Sequence, residues 1–124
     1  MKTTIKILIA ILSIVAISSC KKEGTGGKAS VTGRILHHSL PVPNATVYIK
    51  YGTKEFPGTD PSAYDASVIA GSDAKYTFND LRKGNYYLFS IGYDTAISQA
   101  VRGGIPIGIK SKTESLTSDI PVTE

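Results

Sequence analysis

An all-β sandwich of about seven strands is the fold class this sequence predicts. Three observations lead to it. Apolar residues recur at period two in one run after another, which puts them on a single face of a strand. Clusters of Gly, Pro, Asn and Asp separate those runs. Past the first nineteen residues, no eleven-residue window carries a helical period.

The strands follow in order. Ala29 to Leu36 alternates, with Val31 and Ile35 on one face, Thr32 and Arg34 on the other, and Gly33 between them. His37 to Pro41 reads as a turn, and Pro41 and Pro43 remove ladder donors around Val42. In the next run Ala45, Val47, Ile49 and Tyr51 face one way, against Thr46, Tyr48 and Lys50. Residues 52–66, GTKEFPGTDPSAYDA, contain two prolines and two glycines and read as a long loop. Loops of this length in a compact domain are usually functional or disordered. Ser67 to Ala70 is a short strand.

The centre of the chain is 71–93, GSDAKYTFNDLRKGNYYLFSIGY, which reads as turn, strand, turn, strand. Tyr76 and Phe78 share a face, Asn79, Asp80 and Gly84 turn the chain, and Tyr86 to Tyr93 is aromatic and β-branched. The pattern predicts a buried hairpin with Leu81 plugged beneath its connection. Ile97 to Val101, a turn at Gly103-Gly104, and Ile105, Ile107 and Ile109 at period two follow. After a polar turn, Leu116, Ile120 and Val122 share one face of the closing segment. A domain of roughly 95 residues buries only about 60–65% of its unfolded surface. Its stability therefore leans on Tyr76, Phe78, Leu81, Tyr86 and Leu88.

The first nineteen residues are a different material. Lys2 and Lys6 precede the eleven-residue apolar run Ile7 to Ile17, too short for a spanning helix of about 20 residues and suited to a signal-peptide core. Ile17-Ser18-Ser19-Cys20 then resembles the lipobox of bacterial lipoproteins. The resemblance implies cleavage before Cys20 and acylation there. Several acyl chains anchor stably, at roughly 0.8 kcal/mol per buried CH₂. It also accounts for a single cysteine in the chain. Residues 20–28, the lipidated Cys followed by KKEGTGGK, read as a flexible tether spanning roughly 16 Å. The folded domain is expected over 29–124. Lys21 after the Cys lacks the aspartate associated with inner-membrane retention, and only Glu23 contributes an acid nearby. The expected address is therefore the outer membrane, facing the periplasm.

Charge excludes one class of partner. Fourteen basic and ten acidic residues give +4, and loss of Lys2 and Lys6 on cleavage would leave a net charge near +2. The basic residues are scattered, so nucleic acid is not an expected partner.

Two stretches resemble the carboxypeptidase regulatory-like domain. One is Val31-Thr32-Gly33-Arg34-Ile35 followed by Leu40-Pro41-Val42-Pro43-Asn44-Ala45-Thr46-Val47. The other is Asp73 to Leu81 followed by Gly84-Asn85-Tyr86-Tyr87-Leu88. The resemblance covers about residues 29–122 and implies a transthyretin-like, seven-stranded Greek-key sandwich. The chain departs from the pattern at Ala74, where the family has a turn glycine, and at Lys83, where it has proline. The family names a scaffold rather than an activity.

Candidate chemistry is sparse. His37 and His38 are the only histidines, and neighbours on a strand point to opposite faces, so they are expected to be exposed turn residues that share no metal. No Gly-x-Ser-x-Gly elbow, His-Glu-x-x-His or phosphate loop is present, and no enzyme activity and no cofactor are expected. Tyr86 and Tyr87 must face opposite sides of one strand. Phe56, Tyr64 and Tyr87 are the candidate ligand-binding residues, through which the loop could take a glycan or peptide. The reading from sequence is a non-catalytic accessory or assembly module of the cell envelope. Its partners are the membrane, through lipid on Cys20, and an envelope protein or glycan.

Overall fold

A computed structural model describes residues 23–124. Nine strands follow one another: β1 (Thr25–His37), β2 (Leu40–Pro41), β3 (Thr46–Tyr51), β4 (Ala66–Ile69), β5 (Lys75–Leu81), β6 (Gly84–Asp94), β7 (Gln99–Ile109), β8 (Ser115–Thr117) and β9 (Ile120–Pro121). They form an all-β sandwich of two sheets. In the first, β1 pairs with β2 and β5 antiparallel and with β8 and β9 in parallel. The second has the order β4-β3-β6-β7, with every neighbouring pair antiparallel.

Period-two burial holds on both sheets. On β1, Ala29, Val31, Gly33, Ile35 and His37 all point inward while Arg34 stays exposed. Val47 and Ile49 of β3, Tyr76 and Phe78 of β5, and Tyr86 and Leu88 of β6 meet them in one core. Leu81 is buried as expected, at 1% exposure. Two buried tyrosines also tie their hydroxyls to backbone. Tyr76 donates to the Ser118 carbonyl at 2.5 Å, and Tyr86 donates to the Arg82 carbonyl at 2.6 Å.

Four expectations need correction. The hairpin over 71–93 is not a hairpin. β5 pairs with β1 and β6 pairs with β3 and β7, so the Leu81–Gly84 connection is a corner that carries the chain from one sheet to the other. Alternation only requires both runs to bury their aromatic face, and strands facing each other across the core meet that requirement as well as paired ones.

Gly103-Gly104 is not a turn either. β7 runs unbroken beside β6, with Gly103 opposite Ser90 and Gly104 opposite Phe89. The glycines serve close approach. A Cβ on Gly103 would lie 2.1 Å from the Pro121 carbonyl oxygen, and one on Gly104 would lie 2.7 Å from the Tyr87 ring.

The tether assigned to 20–28 is shorter than its glycine content implied. Thr25–Lys28 belong to β1, the Gly24 amide donates to the Tyr86 hydroxyl at 3.0 Å, and the Glu23 carboxylate accepts from the Asn85 amide at 3.2 Å. Backbone pairing with β5 and these two side-chain contacts order a stretch that has no apolar residue of its own. Cys20 and the leader over 1–19 lie outside the described residues.

His37 is buried, not exposed, because it continues the inward parity of β1.

Ala74 keeps the left-handed conformation, at φ +66, in a position where the resemblance placed glycine. A non-glycine residue pays roughly 1–2 kcal/mol there. Its methyl group is fully buried, which offsets part of that cost.

Candidate functional site

The long loop folds over the outer face of the second sheet. Asp60 caps a single 3₁₀ turn, Pro61–Ala63, by accepting from the Ser62 amide at 3.0 Å. That turn aims Tyr64 back at the sheet. Its ring stacks on Phe89 with centroids 5.7 Å apart and planes 11° apart, and its hydroxyl donates to the Gly58 carbonyl at 2.7 Å. Tyr48 packs beside both rings. Phe56 completes the layer, 5.7 Å from Tyr87 and 5.6 Å from Phe89. The result is a second apolar layer outside the sandwich, built from outward positions of β3 and β6 and two loop residues. It buries Phe89 to 2% exposure although Phe89 points away from the main core.

Beside this layer is an open cleft of about 430 Å³, lined by Phe56, Tyr87, Phe89, Arg102, the Gly103-Gly104 floor and two threonines, Thr59 and Thr123. Phe56 is 54% exposed and offers a ring face to solvent. The Tyr87 hydroxyl has no hydrogen-bond partner among the described residues, and Arg102 makes no ion pair among them. Burial pushes the Tyr87 hydroxyl above its ordinary pKa, so it stays a neutral donor. The cleft thus combines an aromatic wall, hydroxyl groups and one cation. That chemistry suits a ring with an apolar face and polar edges.

Two of the three candidate residues, Phe56 and Tyr87, meet in this cleft. Tyr64 does not line it. Tyr64 staples the loop, and its hydroxyl is pushed up to about 12 by burial and by neighbouring Tyr87. Arg102 and Thr123 escaped the sequence reading. They are brought in by an antiparallel bridge between residues distant in the chain, in which the Arg102 amide donates to the Thr123 carbonyl at 2.8 Å.

A larger recess of about 930 Å³ has a different character. Lys28, Arg82, Lys83, Lys110 and Lys112 surround it, with Glu23 at its rim. It holds cations but no aromatic surface, so it suits an anionic group rather than a sugar ring.

At the end of β1 is a cluster of titratable groups. The His37 Nδ1 is 2.7 Å from Asp94 Oδ2, and its Nε2 contacts the Glu124 carboxylate. Asp94 raises the His37 pKa, burial opposes this, and Glu124 raises it further. Asp94 is lowered mainly by His37, and Glu124 by a bond with its own backbone and by His37. His38 sits at φ +50, out of the strand conformation, and its ring lies 4.3 Å from that of His37. The opposite-faces argument assumed a pleated backbone through both residues, and it does not apply at His38.

No family model and no curated protein sequence matches this chain. Its fold is shared with the crystal structure of a candidate carbohydrate binding protein from Pseudomonas aeruginosa. The TM-score is 0.56 and the identity 10%, over 85% of this chain and 93% of that one. At that identity the likeness is one of fold, a two-sheet β-sandwich.

Proposed function

We propose that this chain is a non-catalytic binding module of the bacterial cell envelope, anchored by lipid on Cys20, that takes a glycan in the Phe56–Tyr87 cleft. The exposed aromatic wall beside Arg102 is the observation that carries this reading. The fold shared with a candidate carbohydrate binding protein supports it. Kinship with carboxypeptidase regulatory-like domains belongs to the same proposal. It is supported by the left-handed backbone at Ala74, in the position where that family has glycine. The outer membrane, facing the periplasm, is the proposed address.

The binding test is NMR titration of the intact protein with a neutral hexose oligomer and with a uronic acid oligomer. Shifts should map to Phe56, Tyr87 and Arg102. A ring stack contributes about 0.5–1.5 kcal/mol, so Phe56→Ala or Tyr87→Ala should weaken binding roughly 2- to 12-fold. No shift with either oligomer, or equal binding by both variants, would overturn the glycan reading. The anchor is tested separately. Cys20→Ala should move the protein from the membrane fraction to the soluble fraction, and unchanged retention refutes lipidation.

A further inference from the structure

We propose that His37, His38 and Glu124 form a binding site for one divalent transition-metal ion of the zinc type, with Asp94 as the positioning residue for His37. The three ligand atoms already lie within 4.8 Å of one another. Two imidazoles and a carboxylate are a zinc donor set that fills three positions and leaves a fourth for water. Ligands about 2.0–2.1 Å from a tetrahedral ion sit roughly 3.3 Å from each other, so the widest pair has to close by about 1.5 Å while His37 and Glu124 move slightly apart.

Asp94 makes the arrangement more than a chance of proximity. Its carboxylate holds the His37 Nδ1 at 2.7 Å, which orients the ring with Nε2 toward Glu124 and His38; an entering ion takes the place of the proton that Nε2 shares with Glu124. Histidines that bind metal almost always donate their other ring nitrogen in this way. Asp94 is itself held, accepting the Ala96 amide at 2.9 Å.

The backbone contributes a second observation. His38 and Ser39 both adopt positive φ, +50 and +66. They are the two central residues of the turn between β1 and β2, which pairs His37 with Leu40, and a two-residue hairpin turn takes positive φ at both positions. The turn has a geometric result: it brings the His38 ring beside His37, where a continuing strand would have sent it to the other face. Access is open as well. His37 is buried at 3% exposure, while the His38 and Glu124 side chains are 74% and 46% exposed and can swing onto an entering ion. The site is also separate from the glycan cleft, which neither histidine lines.

The test is calorimetric titration of the intact, chelator-treated protein with ZnCl₂, together with long-range ¹H–¹⁵N spectra of the histidine rings. One ion per chain is expected, with the Nε2 resonances of both His37 and His38 shifting on binding. His38→Ala removes an exposed ligand without touching the core, and it should weaken binding at least about tenfold, as should Glu124→Gln. Asp94→Asn should weaken it about 10- to 100-fold through loss of orientation. Absence of binding heat, or zinc binding that leaves the two ring resonances unmoved, overturns the proposal. So does affinity unchanged in both His38→Ala and Glu124→Gln.

Discussion

The two faces of β6 are made of similar residues and do different work. Inward, Tyr86 and Leu88 sit in the sandwich at 0% exposure, and the Tyr86 hydroxyl is saturated by the Arg82 carbonyl and the Gly24 amide. Outward, Tyr87 and Phe89 belong to a layer roofed by a loop, and Tyr87 keeps its hydroxyl uncommitted among the described residues. The inner face is closed by the first sheet across the core. The outer face is closed only as far as residues 52–65 reach, and the cleft opens where that loop stops. An aromatic residue on this strand is therefore structural or available according to what covers it, not according to its type.

The largest expected effect tests whether the outer layer is a core in its own right. Phe78→Ala should cost about 3–5 kcal/mol, because Phe78 is buried at 7% exposure between the sheets. Phe89→Ala should cost about 3 kcal/mol although Phe89 faces outward, because the loop buries it to 2%. Urea unfolding of the intact protein measures both. A loss under about 1 kcal/mol for Phe89→Ala would mean that the loop is a loose cover and that the outer face has no core of its own.

A smaller effect separates the adjacent tyrosines. Tyr86→Phe leaves the buried Gly24 amide and the part-buried Arg82 carbonyl without their partner and should cost about 1–3 kcal/mol. Tyr87→Phe should leave thermal stability unchanged within about 0.5 kcal/mol while weakening ligand binding at the cleft. Equal losses of stability in the two variants would erase the distinction between the faces.

The most gradual effect concerns His37, the one titratable group on the inward face of β1. Asp94 and Glu124 face it, and the His38 ring lies alongside. Its native pKa is raised above 6.5, so its contribution is present below that value and is lost as pH rises through the native one. Asp94 and Glu124 are lowered from 3.8 and 4.5, so their contributions are present above those values and are lost as pH falls below them. The metal-free protein should therefore melt highest between these limits and lose melting temperature from pH 6 to pH 8. His37→Gln should flatten that fall. A fall of the same slope in the variant would assign it to another group.

Much of the fold was legible in the sequence because burial in a sheet has a local signature. Val31, Ile35, Val47, Ile49, Tyr76, Phe78, Ile107 and Ile109 are all inward as alternation required. Less of the site was legible. Phe56 and Tyr87 followed from a long loop and an outward tyrosine, but nothing local announced that Arg102 and Thr123 would join them. His37 was within reach of sequence reasoning, since Ala29, Val31, Gly33 and Ile35 carry its parity inward. A turn read from His37 onward hides it, because β1 runs one residue further and turns at His38-Ser39.

Period-two alternation is a property of each strand alone, so the chain by itself determined that these segments would be half-buried strands and which side chains would face in. Which strands pair is a property of two segments at once. Only the tertiary structure could make the connection after Leu81 a crossing between sheets, lay Gly103 against Pro121, and bring Asp94 and Glu124 to either side of His37. Carboxylates 57 and 87 residues away leave no mark on a histidine's neighbours in sequence, and the backbone turn at His38 that sets the rings side by side becomes readable only once the strands are in place.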